Sequence, residues 1–177
     1  DPRVAGVTRT SADKMITSPF YRADSIRDHY NALTLRMKGD WSVEFRAYDD
    51  GVAYRFVSRA KKPFNIVSEQ ADFRFPADLE ATVPYVARGK EGDFDDQFYN
   101  SFENTYTTAR LSELNSGRLM FLPLVVDAGD GVKVCITETD LENYPGLYLT
   151  NAGAAKNGLK GVFAPYPEKQ EQGGHNR

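Results

Sequence analysis

Cysteine is nearly absent. The single Cys135 excludes an internal disulfide and any multi-cysteine metal cluster, while leaving an oxidising compartment open, since a protein can reside there without a disulfide. Histidine is as scarce. His29 and His175 stand far apart, so neither a zinc site with ordinary ligand spacing nor a serine or cysteine triad is supported. No apolar run approaches the ~18 residues needed to cross a bilayer. The net charge of −3 is small and of the wrong sign for a nucleic-acid footprint, which needs clustered Lys and Arg. A phosphate-cradling loop is missing too: Gly129-Asp130-Gly131 reads as a hairpin turn, and Gly173-Gly174 precedes no helix. Helical periodicity is almost lacking, with only Ser25 to Asn31 and Glu138 to Asn143 reading as candidate helical turns. No signal-peptide pattern stands at residue 1. Both ends read as cut from a larger protein: Asp1 opens abruptly, and the polar run Glu168 to Arg177 closes no element.

What is present is a β pattern. At 41% apolar and 27% charged residues the composition is that of a globular domain, and 177 residues suffice for one core. Tyr and Phe, plentiful here, pack well on pleated surfaces. From Trp41 to Ala47 apolar residues occupy every second position, with Ser42, Glu44 and Arg46 between them. Asp49-Asp50-Gly51 follows, with Gly51 available for positive φ, and then Val52 to Val57, which together predict an antiparallel hairpin. Further strands are predicted over Asn31 to Lys38, Ala71 to Phe75, Val132 to Thr137, Gly146 to Thr150 and Leu159 to Ala164. Leu119 to Val126 is nearly all apolar and predicts a strand buried on both faces, with Pro123 at an edge or bulge. Many short strands without internal repeats predict a sandwich or barrel over residues 1–177.

Few residues stand out for chemistry. Cys135 lies in an apolar strand, where a thiol is expected to be a small core residue. Asp93, Asp95 and Asp96 lack the spacing, central glycine and distal glutamate of a calcium loop and read as a solvated acidic loop. The polar and aromatic stretch Ala87 to Ser116 has no clean period and reads as an insertion that serves function or an interface. Arg46 and Arg55 flank the hairpin turn near Glu44, which suits a cross-strand charge network or, alternatively, contact with a sugar or another domain. Glu138 follows an apolar strand and is placed to serve as a hard oxygen ligand. By spacing alone, however, a capping or surface role is favoured.

Four segments in order resemble the N-terminal domain of glycoside hydrolase family 97: Glu44 to Phe56 (EFRAYDDGVAYRF), Ile136 to Leu141 (ITETDL), Tyr144 to Leu149 (YPGLYL) and Phe163 to Pro167 (FAPYP). The resemblance runs from about Tyr30 to the C-terminus, and Asp1 to Ser18 match nothing recognisable. It implies an all-β, antiparallel two-sheet β-supersandwich of the galactose mutarotase-like kind, here a truncated fragment. It also implies a bacterial, periplasmic or secreted, calcium-dependent parent enzyme that cleaves α-glucosidic or α-galactosidic bonds of oligo- or polysaccharides. Family members place the catalytic carboxyls in a (β/α)8 barrel beside this sandwich, and in glucosidase members the N-terminal domain lends one glutamate to calcium. The matching position here is Glu138. A stand-alone carbohydrate-binding sandwich and a purely bracing domain are the competing expectations.

Overall fold

The computed structural model describes residues 2–18, 22–142, 144–153 and 157–165. Within it, Asp1–Asn65 and Ile66–Arg177 form two compact units. Every ladder is antiparallel, and the chain has the all-β class that the alternation predicts.

The N-terminal unit is a four-stranded meander in the order β1 (Val4–Thr17), β2 (Ser25–Met37), β3 (Trp41–Ala47), β4 (Val52–Ser58). Its register pairs Leu35 with Val43 and Val43 with Phe56, then Leu33 with Phe45 and Phe45 with Tyr54. One face is therefore apolar. The other carries Thr34, Glu44 and Arg55, again in direct register. The β3–β4 hairpin forms as predicted, closed by Tyr48 N–H donating to Gly51 O at 2.8 Å. Gly51 does this outside the left-handed region, which Gly39 enters instead, at φ 92°, between β2 and β3. Two expectations are corrected here. Ser25 to Asn31 is not a helical turn but the first half of β2, paired with Ser11 to Thr17. Those same N-terminal residues, unrecognised in sequence, build the long strand β1. Neither segment has a clean apolar face, and cross-strand contacts such as Arg27 with Asp13 (2.8 and 2.7 Å) stand in for apolar alternation.

The C-terminal unit contains β5 (Asp72–Arg74), β6 (Glu80–Pro84), a single-turn α1 (Phe94–Gln97), β7 (Tyr106–Arg110), a 3-10 turn over Leu111–Glu113, β8 (Leu124–Gly129), β9 (Val132–Ile136), β10 (Leu147–Asn151) and β11 (Gly158–Phe163). Two sheets result, β10-β11-β5 and β7-β6-β8-β9. Val83, Leu124 and Val126 from one sheet and Leu149 and Leu159 from the other meet in one core with Leu111 and Met120. At about 25 cal/mol per Å² of apolar surface, each such side chain contributes about 2 kcal/mol on burial.

Three further expectations change in this unit. Leu119 to Val126 is not one strand. The ladder begins at Leu124, after a cis Leu122–Pro123 bond, while Leu119 to Phe121 is buried and stitched to other segments. Met120, for example, exchanges backbone hydrogen bonds with Leu149 at 2.7 and 2.9 Å. Cys135 is exposed, because β9 is an edge strand and Cys135 pairs with Val125 on the face opposite the core pair Leu124–Ile136. Glu138 to Glu142 forms no helix, and Asn143 lies outside the described residues.

Candidate functional site

The surroundings of Glu138 follow from how β9 ends. Ile136 is buried opposite Leu124, and the chain then leaves the ladder. Asp140 turns it with φ 59°, a conformation that Asp tolerates better than most residues. It returns as β10 at Leu147, whose N–H donates to Glu138 Oε1 at 2.8 Å. Gly146 lies against the same oxygen: a Cβ there would make ordinary contact with it at 3.4 Å. Glu138 is thus neither an N-cap nor a freely solvated side chain. It is half-buried, fastened by one oxygen across the loop between two strands.

Charge and aromatic groups gather around it. Burial is the larger cause pushing the Glu138 carboxyl above its ordinary value, and the charge of Glu69 adds to it, while the Leu147 N–H opposes both. Glu69 is itself held by the Tyr144 hydroxyl, which donates to its Oε2 at 2.5 Å. The Tyr144 ring meets Phe163 edge-on at 6.1 Å. The Tyr148 hydroxyl is raised by burial and, secondarily, by the charge of Glu138. Tyr148 stacks on Phe102 at 5.8 Å, and Phe102 sits at φ 58°, an unusual conformation for a bulky residue. None of Glu69, Tyr148 or Phe102 was legible as part of this site. Glu69 and Phe102 come from distant segments, and Tyr148, although it lies in the YPGLYL motif, has nothing in its spacing that ties it to Glu138.

Calcium takes six to eight oxygen ligands. Among the described residues no group of three or more His, Cys, Asp or Glu side chains is arranged to hold a metal. Glu138 therefore fits calcium as one carboxylate ligand, with no acidic cluster of three around it among the described residues.

The other candidates resolve as structural. Asp93 caps α1 by accepting from Asp96 N–H at 3.2 Å, and Asp96 accepts from Lys90 N–H at 2.7 Å, so this acidic loop satisfies its own backbone. Asp93 and Asp95 also border a shallow surface depression with Lys90 and Glu91. Arg55 lies directly across from Glu44 at 2.8 Å, forming the charge pair expected for one of the two arginines. Arg46 has a different environment, 4.4 Å above the ring of Tyr30. His29 lies 3.8 Å from Asp49, whereas His175 falls outside the described residues, as do Tyr166 and Pro167.

Comparison with known proteins agrees with this fold. The family model described as Glycosyl-hydrolase 97 N-terminal matches residues 1–167, which brings in the first 18 residues that carried no recognisable motif. A retaining alpha-galactosidase from Bacteroides thetaiotaomicron is 65% identical over 175 residues, 99% of this chain and 26% of that protein. Among solved structures, a glycoside hydrolase family 97 enzyme from Pseudoalteromonas sp. strain K8 in complex with acarbose superposes with a TM-score of 0.74 at 22% identity, covering 93% of this chain and 24% of that one. A beta-arabinopyranosidase superposes with a TM-score of 0.70 at 20% identity, covering 94% and 28%. At such identities the two structures speak to the fold alone. The chain spans about a quarter of the length of these relatives. With the matched model covering every strand from β1 to β11, the chain belongs to the glycosyl hydrolase 97 N-terminal family.

Proposed function

We propose that residues 1–177 are the N-terminal, non-catalytic sandwich portion of a longer, calcium-dependent glycoside hydrolase that acts on α-galactosidic bonds outside the cytoplasm, packed beside a catalytic (β/α)8 barrel. The observation that carries this reading is the 65% identity to a retaining alpha-galactosidase, spread over 99% of this chain. Retaining glycosidases work with two carboxyl groups about 5 Å apart across the scissile bond. In this reading both belong to the barrel, and this chain contributes position rather than chemistry.

Glu138 is the residue of this chain that reaches toward the active centre. Its fastened Oε1 fixes the direction of the carboxylate, and burial together with Glu69 makes its charge costly in the absence of a counter-cation. Bound calcium would supply an electrophile that orients the sugar and offsets developing charge.

The test uses the full-length protein. It should hydrolyse nitrophenyl α-galactoside in preference to the α-glucoside, lose activity to a calcium chelator and recover it on adding calcium. Glu138→Gln should weaken calcium binding, read by calorimetric titration, by about tenfold or more, with far-ultraviolet circular dichroism unchanged. A preference for the glucoside overturns the substrate assignment, and unaltered calcium affinity in the variant overturns the role of Glu138.

A further inference from the structure

The polar face of the β1–β4 sheet carries a side-chain cluster that neither the core nor the calcium reading uses. The register separates the two faces. Leu33, Leu35, Val43, Phe45, Tyr54 and Phe56 share one, the face with the character of a sandwich interior. The opposite face is polar, carrying Thr34, Ser42, Glu44 and Arg55. Two tyrosines nevertheless stand side by side on it, Tyr30 and Tyr48, with ring centroids 5.3 Å apart and inclined at 55°. Arg46 lies 4.4 Å above Tyr30. Its cross-strand partners are Ala32 and Ala53, and the partner of Tyr30 on β1 is Ala12, so short side chains flank the tall ones.

The polar contacts inside the cluster are loose. Arg46 Nη1 is 3.5 Å from the Tyr48 hydroxyl, that hydroxyl is 3.4 Å from Asp28 Oδ1, and Lys14 Nζ is 3.7 Å from Asp28 Oδ2. Charge-assisted contacts normally close to about 2.8 Å. The purely structural pairs of the same sheet do so, Arg27 with Asp13 at 2.7 Å and Arg55 with Glu44 at 2.8 Å. Asp28 is only 12% exposed, yet no contact in the cluster fully engages its carboxylate. A guanidinium, a carboxylate and a phenol thus sit together with hydrogen-bonding capacity to spare, beside an aromatic pair.

We propose that Tyr30, Tyr48, Arg46 and Asp28 form a non-catalytic binding site for a pyranose unit of a neutral oligosaccharide. A pyranose offers an apolar C–H face and a rim of adjacent hydroxyls. The tyrosine rings pack against the first, while Arg46 and the Tyr48 hydroxyl donate to, and Asp28 accepts from, neighbouring hydroxyls of the rim. The carboxylate disfavours a phosphate or sulfate in the same place. The site lets the protein hold a polysaccharide chain while another part of it acts on the chain's end. The choice of an α-galactoside as first probe rests on the function proposed above, whereas the chemistry of the cluster does not.

Hydrogen exchange read by mass spectrometry on the full-length protein tests this locally. Methyl α-galactoside and, separately, methyl α-glucoside are titrated, and exchange is followed in peptides covering residues 26–32 and 44–51. Saturable slowing there with at least one sugar is expected. Arg46→Ala and Tyr48→Phe should each raise the half-saturating concentration by about tenfold or more. Tyr48→Phe keeps the ring, and exchange in the other β-strands reports that the fold is retained. Absence of protection in these peptides, or unchanged half-saturation in both variants, overturns the proposal. Hydrolysis of α-galactosides without protection here leaves the proposed function standing and removes this site. Protection here without such hydrolysis does the reverse.

Discussion

From Nε2 the Gln97 amide donates to the carbonyls of Lys90 and Gly117, at 2.9 and 2.8 Å, and its Oε1 accepts from Leu119 N–H at 2.8 Å. The side chain is fully buried, and one amide ties three backbone groups together, of which Leu119 N–H lies in a buried contact. Gln97→Ala takes the partner of Leu119 N–H away, while the carbonyls of Lys90 and Gly117 keep the N–H groups of Asp93 and Gly92 at 3.1 and 2.9 Å. It should cost about 2 kcal/mol, seen as a lower urea midpoint by circular dichroism with an unchanged slope. A loss below about 1 kcal/mol would mean that water takes over these bonds. Nothing in the polar stretch Ala87 to Ser116 singles this glutamine out. Three neighbouring aspartates are more conspicuous, and they turn out to serve the local turn. Glu138 shows the opposite balance: its place at a strand end is legible from the alternation that precedes it, but its hydrogen bond to Leu147 is not. Cys135 is misread because an apolar strand in sequence does not say which of its faces, or which edge of the sheet, meets the core.

Hairpins are the elements most directly written in the chain. Between β8 and β9 the two-residue turn Asp130-Gly131 has φ of 51° and 80°, the left-handed pair that matches the twist of the flanking strands. A Cβ on Gly131 would meet nothing within 4 Å, so the cost of Gly131→Ala is conformational alone. It should be about 1 kcal/mol, read as a lower unfolding midpoint, with Asp130→Gly close to neutral as its control. An unchanged midpoint in Gly131→Ala would contradict a conformational cost at this position. Period-two alternation locates β3, β4, β9 and β10 to within a residue or two. It fails for β1 and the start of β2, whose Lys, Asp, Arg and Thr alternate with too little contrast to define a face. Their pairing is a long-range event, and cross-strand bonds rather than local pattern select it.

The apolar face of the β1–β4 sheet has a consequence for the molecule as a whole. Val52 is 76% exposed, and Phe56 and Tyr54 beside it are about half exposed, as is Val7 on β1. Contiguous apolar surface of this kind marks a surface that another chain segment or protein covers. Prepared by itself, the 177-residue chain should therefore associate as its concentration rises, measured by sedimentation velocity. The double substitution Val52→Lys, Phe56→Lys should shift it toward monomer. A wild-type chain that stays monomeric across the concentration range would contradict this.

The all-β class, the hairpin positions and the family are legible in the chain alone, because period-two alternation, turn residues and short motifs are local properties. Which side chains share a site follows from the folded chain. Glu69 and Tyr144 come to the neighbourhood of Glu138, Asp28 and Tyr30 meet Arg46 and Tyr48, and Gln97 reaches Leu119. Each of these meetings depends on strand register and on loops closing over many residues. Register is set by the sum of contacts across a sheet, so no single segment of sequence announces it.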